Sequence, residues 1–527
     1  MKTSKGNILR AAGIVSGATF LSRILGFVRD MITAHYLGTS FTADAFFVAF
    51  RIPNLLRRLF GEGSLTASFI PVFSSYLAAG KKEEAKEIAQ TALTLVAAIL
   101  VLVTIAGICF SPLIISLIAP GFHDNPEKFQ LAVLLNRIMF PYILLISLVA
   151  LAMGILNSVD HFLAPALAPV LLNICMIGAV FLLSLPLGNP ALALAVGVLL
   201  GGLAQLALQV PFLRKKGFSL APKYHFRHPA IGRILKLMGP SLVGLAITQI
   251  TIFVNTLLAS LLMDGSISYL YYADRLVQFP LGVFAVALGT AILPALSRQA
   301  SKQQWEDFSQ TFSLAIRGLF FITLPAMTGL IILSKPIIYV LFQRGNFDAT
   351  STAMVAQTMI AYTCGLWAYA ALRIVVPVFY SLQDAKTPVK VGGVALIINI
   401  VAALALMLPL KHIGLALATA ISSAANIIIL IYLLAKKKTM PPLKINSITK
   451  SLGQAAVATG IMAVVLLALP HCSWFALTYV HQLADAGRLA VMITIGGLAY
   501  AGSSLLLGSR EMDSLKAMMG KRGTTGT

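Results

Sequence analysis

Long apolar stretches recur from one end of the chain to the other, and short polar or charged segments separate them. A helix needs about 20 apolar residues to cross a bilayer, and fourteen stretches are long enough. Their approximate bounds are 9–36, 42–78, 88–118, 130–157, 162–185, 190–212, 234–263, 267–298, 308–333, 350–380, 387–408, 412–435, 446–469 and 486–507. Backbone polar groups in lipid must pair within their own segment, and strand-like alternation is missing, so the stretches are predicted to be helices. The pattern therefore predicts an all-α polytopic membrane protein with fourteen transmembrane helices.

Two similar segments, six predicted helices apart, indicate an internal repeat. The second predicted helix ends in FIPVFSSYLAAGKKEEAKE and the eighth in ILPALSRQASKQQWEDFSQ. Pro71 matches Pro294 at an offset of 223 residues, and Ser74 matches Ser297 at the same offset. Parallel repeats around a central cavity are typical of transporters, so the repeat favours alternating access over a channel or a scaffold.

The repeat also predicts the domain organisation. Two pseudo-symmetric six-helix lobes are expected to surround a central cationic cavity, with two further helices at the C-terminus. The predicted parts are an N-terminal lobe (1–213, helices 1–6), a basic cytoplasmic loop (214–233), a C-terminal lobe (234–435, helices 7–12) and a C-terminal helix pair with its tail (436–527).

The distribution of charge predicts the orientation. Only 11% of the residues are charged, and the formal net charge is +22. Of the 40 basic residues, 26 lie in segments on one side of the predicted spans and five on the other. Basic loops stay in the cytoplasm, so both termini are predicted to be cytoplasmic, and the excess charge does not require a nucleic-acid partner. The four cysteines are scattered without metal or redox spacing, and no metal site is expected.

Nine basic residues lie inside the predicted helices and outside the segments counted for the orientation, and every one of them is an arginine. They are Arg23, Arg29, Arg51, Arg57, Arg58, Arg137, Arg275, Arg317 and Arg373. An arginine at mid-bilayer costs about 2.5–3.5 kcal/mol, so each must face a water-filled cavity, pair with an acid or bind an anion. The planar guanidinium suits bidentate recognition of phosphate or carboxylate. The arginines therefore point to an anionic amphiphile or an anionic solute as the cargo.

Helical spacing suggests which of these arginines are neutralised. The expected pairs are Arg58 with Glu62, Arg23 with Asp30, and Arg51 with Asp44. Three arginines have no obvious partner on their own helix: Arg29, Arg57 and Arg275. Asp274 could nevertheless pair with Arg275 from the adjacent position. An alternative is that the arginines only pair with acids to hold helices together, above all Arg51, Arg58 and Arg317.

Two residues are candidate hinges. Arg23 and Arg29 are six residues apart and so lie on different faces of an ideal helix, but a bend at Gly26 would turn both towards one cavity. Pro53 interrupts the long second helix near its charged stretch, which is typical of a hinge that lines a cavity. A static kink at Pro53 is the alternative.

Several motifs resemble those of a known family. They are FLSRILGFVRD (20–30), TADAFFVAFRIPNLLRRLFGEGSLTASFIPVF (42–73), FPYILLISL (140–148), YYADRLVQFPLGVFAVALGTAILPALS (271–297) and FYSLQDAKTPVK (379–390). The chain resembles the MurJ (MviN) family, the bacterial lipid II flippases of the multidrug/oligosaccharidyl-lipid/polysaccharide exporter superfamily. The resemblance covers nearly the whole chain.

The resemblance implies a fold and a cargo. It implies two six-helix lobes with a V-shaped cavity and a C-terminal helix pair that forms a groove for a polyprenyl tail. The implied cargo is lipid II, an undecaprenyl diphosphate that carries a disaccharide-pentapeptide. The implied location is the bacterial cytoplasmic (inner) membrane, and the implied role is in peptidoglycan biosynthesis.

The resemblance also implies the site residues. The residues implied to bind the substrate are Arg23, Arg29, Arg57 and Arg275, and the supporting charge network consists of Asp30, Asp44, Arg58, Glu62 and Asp274. Relatives carry a glutamate where this chain has Gln278, which leaves Arg275 more available for phosphate.

The sequence thus predicts a flippase that works by alternating access, with bound anion screening the repulsion among the arginines. No cofactor is expected; coupling to the membrane potential or to a monovalent cation fits the resemblance. Expected partners are lipid II, membrane lipids and cell-wall synthesis proteins.

Two alternatives to lipid II flipping remain open from the residues. One is an exporter of another polyprenyl-linked glycan or of an anionic solute. The other is a membrane-embedded glycan-processing enzyme, which would need acid/base or metal-binding groups in the outer loops. The groups available there are His123, Asp124, Glu127, His471, His481 and Asp485, without metal-ligand spacing.

Overall fold

The described part of the chain is built from helices, without strands. The computed structural model describes residues 5–57, 65–219, 221–225, 228–437, 445–472, 475, 479 and 482–512. The helices are α1 Lys5–Leu37, α2 Phe41–Leu56, α3 Leu65–Ala78, α4 Lys82–Cys109, α5 Ser111–Ile118, α6 Pro126–Met139, α7 Tyr142–Ser158, α8 Leu163–Leu187, α9 Pro190–Lys215, α10 Pro229–Ser260, α11 Ser266–Pro280, α12 Val286–Ser301, α13 Trp305–Ile332, α14 Ser334–Phe342, α15 Ala349–Thr363, α16 Leu366–Ser381, α17 Lys386–Ala435, α18 Ile445–Ala468 and α19 Gln482–Leu506. Short 3₁₀ turns occupy Pro120–Asp124 and Leu469–His471, and a π turn occupies Leu281–Ala285.

Helices cover the predicted apolar stretches, either as one helix or as a broken pair. Within the described residues, eight helical segments are long and apolar enough to cross a membrane, and a ninth is the pair α15 and α16, which is bent by 42°. α17 contains two predicted spans, because its backbone leaves the helical conformation at Lys411 (φ 51°, ψ −133°). The predicted all-α, multi-span class is confirmed, and the number fourteen stays a prediction.

Several of the breaks lie beside proline, which cannot donate a backbone hydrogen bond and so weakens a helix. Pro112 is in the first turn of α5, and Pro141 separates α6 from α7. Pro53 is different: it is buried inside α2, which continues past it to Leu56. The second predicted span, 42–78, contains α2 and α3, and residues 58–64 between them are outside the described residues.

The chain forms two compact units. The first contains the described residues up to Ser268 together with Arg344–Phe347, and the second contains Tyr269–Gln343 and the residues from Asp348 onwards. The predicted division into lobes by helix order stays a prediction.

The first unit has an apolar core between α3, α4, α7 and α10. Phe69 and Phe73 stack with their ring centroids 5.0 Å apart, and Ile88 and Ile155 are fully buried beside them. These residues recur at helical spacing on their own helices, so each helix presents one continuous apolar face to the core.

Within the first unit, Asn346 closes the end of α1. Its backbone N–H donates to the carbonyl of His35 (2.9 Å), and its Nδ2 donates to the carbonyl of Tyr36 (2.7 Å). Two glycines permit this close approach. Gly38 (φ +59°) and Gly345 (φ +57°) both have left-handed backbones, and a Cβ on Gly38 would lie 2.2 Å from the Asn346 oxygen.

In the second unit, α18 and α19 pack on α13. The Tyr500 hydroxyl donates to the carbonyl of Phe321 (2.6 Å) in their shared core. Arg317 on α13 pairs with Glu511 (Nη2 to Oε1, 2.5 Å) and donates to the Ser447 hydroxyl on α18 (3.0 Å). The alternative interpretation, an arginine that holds helices together, therefore fits Arg317.

The motif at 379–390 forms a second tie within this unit. The Asp384 carboxylate accepts from the Thr387 N–H (3.1 Å), the Thr387 hydroxyl (2.8 Å) and Lys437 Nζ (2.7 Å). The loop that joins α16 to α17 is thereby fastened to the far end of α17. These donors, Lys437 first among them, lower the pKa of Asp384 to about 2.

Asp384→Asn is expected to lower the thermal midpoint of the purified protein at neutral pH. An acid whose pKa is lowered by folding stabilises the fold above its ordinary value of 3.8, and this contribution is lost as the pH falls towards about 2. The difference in midpoint between wild type and variant should be steady from pH 7 to about pH 5 and shrink below that. Thermal unfolding across this range is the measurement, with Asp307→Asn, at an exposed position, as the control. A difference that grows in acid would contradict the prediction.

Candidate functional site

Arg29, on α1, is buried and paired. Only 7% of its surface is exposed. Its Nη2 lies 2.7 Å and its Nε 3.1 Å from Asp30 Oδ1. Its Nη1 donates to Asn173 Oδ1 on α8 (3.1 Å), and Asn173 Nδ2 donates to the carbonyl of Ser22 (3.1 Å). This network fastens α1 to α8.

The pairing of Asp30 differs from the prediction. Helical spacing suggested that Asp30 pairs with Arg23, and that prediction is wrong because the neighbouring Arg29 takes the carboxylate instead. Arg23 is exposed, and no described residue forms an ion pair with it. Gly26 lies between them on the side of α8, where a Cβ would be 3.5 Å from Asn173 Nδ2. The role of Gly26 as a hinge stays a prediction.

Arg57 follows the last residue of α2 and is half-buried. Its Nη2 and Nε donate to Asn54 Oδ1 at 2.9 and 3.1 Å, which keeps the guanidinium beside its own helix. The predicted pair of Arg58 and Glu62 lies outside the described residues, and the hinge at Pro53 stays a prediction.

Asp44 is the most enclosed of the predicted acids, with 1% of its surface exposed. Its Oδ1 accepts from the backbone N–H and the hydroxyl of Ser268 (2.9 and 2.7 Å). Its Oδ2 accepts from the Gly265 N–H (2.8 Å) and from Lys128 Nζ (3.0 Å). The predicted pair of Asp44 with Arg51 is therefore wrong: a lysine from another segment provides the cation.

On α11, Arg275 is exposed and Asp274 is half-buried. The Arg275 guanidinium lies 5.8 Å from the centre of the Tyr271 ring. Gln278 Nε2 lies within 3.4 Å of Asp274 Oδ1, so Gln278 turns its amide to the neighbouring carboxylate. Arg275 belongs to the second unit, whereas the other three predicted arginines belong to the first.

The described residues offer non-covalent anion binding. Exposed guanidinium groups such as those of Arg23 and Arg275 can form bidentate, charge-assisted hydrogen bonds with phosphate. Within the described part of the chain, no group of three or more histidine, cysteine, aspartate or glutamate residues could hold a metal ion. His123 contacts the Ser116 hydroxyl (2.9 Å) and Asp485 pairs with Arg488 (3.0 Å), whereas His481 is outside the described residues.

Comparison with known proteins shows what this chain is similar to. The family "Lipid II flippase MurJ" matches residues 33–484. A protein of Vibrio cholerae, named a probable lipid II flippase MurJ, is 39% identical over 435 residues, which is 81% of this chain and 83% of the relative. The chain belongs to the MurJ family. The family membership predicted from the motifs is thus confirmed.

Solved structures agree with this membership. A lipid II flippase MurJ in an inward closed conformation matches with a TM-score of 0.75 and 29% identity, covering 92% of this chain and 97% of the other. An inward-facing multidrug resistance MATE family transporter of the MOP superfamily matches with a TM-score of 0.66 at 17% identity, covering 81% of this chain and 98% of the other. The second likeness supports the fold alone.

For this MurJ family member, sequence reasoning missed two polar residues. Lys128 is one of the five basic residues that the charge count places in loops on the outer side of the predicted spans, yet it is buried against Asp44. Asn173 was not singled out, although a lone asparagine among the apolar residues of α8 was a usable signal. Which arginines contact the substrate stays a prediction.

Proposed function

We propose that this protein flips lipid II from the cytoplasmic to the outer leaflet of the bacterial inner membrane. Membership of the MurJ family supports the cargo. The observation that carries the proposal is the exposure of Arg23 on α1 and of Arg275 on α11, because a cation within a predicted span is costly in lipid unless an anion or water meets it. We further propose fourteen transmembrane helices with both termini in the cytoplasm.

The proposed cycle moves the diphosphate through an arginine-lined cavity by alternating access. Arg23, Arg57 and Arg275 attract the diphosphate, and Arg29 contributes positive potential from its buried pair. Bound anion reduces the repulsion among the cations, which lets the cavity close on the inner side and open on the outer side. The C-terminal helices α18 and α19 flank the polyprenyl tail.

The return step needs an energy source. Moving one elementary charge across 100 mV is worth about 2.3 kcal/mol, so the membrane potential, negative inside, pulls an empty cationic carrier back towards the cytoplasm. The alternative energy source for the return step is the movement of a monovalent cation that is coupled to it.

The test is made in bacteria depleted of this protein, with externally added toxin that cleaves lipid II. We expect cleavage to collapse on depletion and to return when the wild-type chain is expressed, because only lipid II in the outer leaflet meets the toxin. If cleavage persists in depleted cells that remain healthy, then either another transporter suffices or the cargo is a different anionic lipid, and the assignment of the substrate must be reopened.

A further inference from the structure

A buried lysine joins two carboxylates in the first unit. Lys128, in the first turn of α6, is 3% exposed. Its Nζ lies 3.0 Å from Asp44 Oδ2 and 2.7 Å from Asp264 Oδ1, and 4.2 Å from the centre of the Phe122 ring. Two carboxylates share a single ammonium group here, so the lysine is part of the fold rather than a loop charge.

Lys128 determines whether Asp44 can remain charged in its enclosed position. Without the ammonium group, the Asp44 carboxylate would keep its three donors from Gly265 and Ser268 but would face a second carboxylate, Asp264, with no cation between them. The Asp264 side chain is 56% exposed, so water screens its repulsion, and the larger effect is that the buried Asp44 carboxylate loses its cation. Removal of Lys128 should therefore weaken the hold of Asp44 on the turn that contains Gly265.

The turn that Asp44 holds is the start of α11. Ser268, which donates two hydrogen bonds to Asp44, is in the first turn of this helix. Arg275 follows seven residues later, which is about two helical turns, so it lies near the same face as Ser268. The hydrogen bonds of Ser268 to Asp44 therefore act on the face of α11 that also carries Arg275.

We propose that Lys128 is a positioning residue for lipid II binding: its ammonium group links Asp44 to Asp264 and thereby holds the first turn of α11, the helix that carries Arg275. This inference rests on the proposed function, since it takes Arg275 to contact the diphosphate. Lys128 itself does not touch the substrate. Its effect passes through Asp44 and the first turn of α11.

The test is a double-mutant cycle on the binding of lipid II to the purified full-length protein. Lys128→Met and Arg275→Ala are each expected to weaken binding by about tenfold, the loss of one charge-assisted contact. If Lys128 acts through Arg275, the double variant should bind no more than about twofold more weakly than Arg275→Ala alone, because additivity fails for residues that act together. If instead the losses of affinity of the two single variants multiply in the double variant, the two residues act independently and the proposal is wrong.

A charge rescue and a stability measurement separate positioning from a general loss of folding. Lys128→Arg keeps a positive charge between the two carboxylates, so it should recover most of the affinity that Lys128→Met loses. Binding is measured below the thermal unfolding midpoint of each variant, so that a loss of folding is seen separately from a loss of affinity. Lys335→Met is the matched control, because Lys335 is exposed and lies over the Tyr479 ring (5.3 Å) rather than between acids. It should bind as wild type does.

The outcomes distinguish this inference from the proposed function. If wild type itself does not bind lipid II, the proposed function fails. If wild type binds and Lys128→Met binds equally well, lipid II flipping stands and the positioning role of Lys128 is wrong.

Discussion

Arg275→Ala is expected to lower lipid II exposure at the cell surface to less than about a tenth of the wild-type level, while the protein still inserts and accumulates. The side chain is exposed on α11, so its removal opens no cavity in the core. It would, however, remove charge-assisted hydrogen bonds to the diphosphate, each worth about 1.5–3 kcal/mol. Arg57→Ala should act in the same direction. Cleavage of lipid II by external toxin in depleted cells that express each variant is the measurement.

Arg137→Ala is the matched control for these variants. Arg137 is also an exposed arginine within a predicted span, but it belongs to no predicted binding set. It should support normal exposure of lipid II. If cells that express Arg275→Ala, and cells that express Arg57→Ala, both expose as much lipid II as wild type does, then Arg275 and Arg57 do not bind the diphosphate.

Arg29→Ala is expected to reduce stability by about 3–5 kcal/mol, because it leaves the Asp30 carboxylate buried without its cation. Asn173 Oδ1 would also lose the hydrogen bond that it accepts from the Arg29 guanidinium, and this loss weakens the contact between α1 and α8. Thermal unfolding of the purified protein measures this loss. Arg23→Ala is the comparison, since Arg23 is exposed on the same helix and should leave the unfolding midpoint close to wild type.

A paired substitution separates the structural role of Arg29 from binding. Arg29→Met with Asp30→Asn removes both charges together, so most of the lost stability should return. If transport nevertheless stays lost, Arg29 also provides positive potential for the diphosphate. Full transport by this stable double variant would show that Arg29 only holds α1 to α8. A thermal unfolding midpoint of Arg29→Ala equal to that of wild type would contradict the stabilising role of the buried pair.

Much of the fold follows from local pattern. The length of an apolar stretch predicts a helix in lipid whatever the other segments of the chain do. Helices accordingly cover the predicted stretches. Breaks beside Pro112 and Pro141 also have local causes. The connection at Asn346 could not be predicted in this way, because it joins a loop to the end of α1 across about 310 residues of chain.

The candidate site was less predictable, because its ion pairs depend on packing between helices. Spacing along one helix suggested partners for Asp30 and Asp44, and both suggestions were wrong. Asp30 pairs with the adjacent Arg29, whose side chain is directed by Asn173 on α8. Helical spacing identifies residues that share a face, but it does not identify which cation reaches a carboxylate once other helices pack against that face.

Hydropathy and loop charge predicted the class of this protein, and the resemblance of its long charged motifs predicted the family, because these are properties of the chain that need no tertiary contact. The sequence also singled out the arginines, since any cation in an apolar span is costly. Which cations are neutralised depends instead on how the helices pack against one another. Lys128 reaches Asp44 across 84 residues and Asn173 reaches Arg29 across 144. Electrostatic pairing depends on distance in space, and folding alone creates those distances.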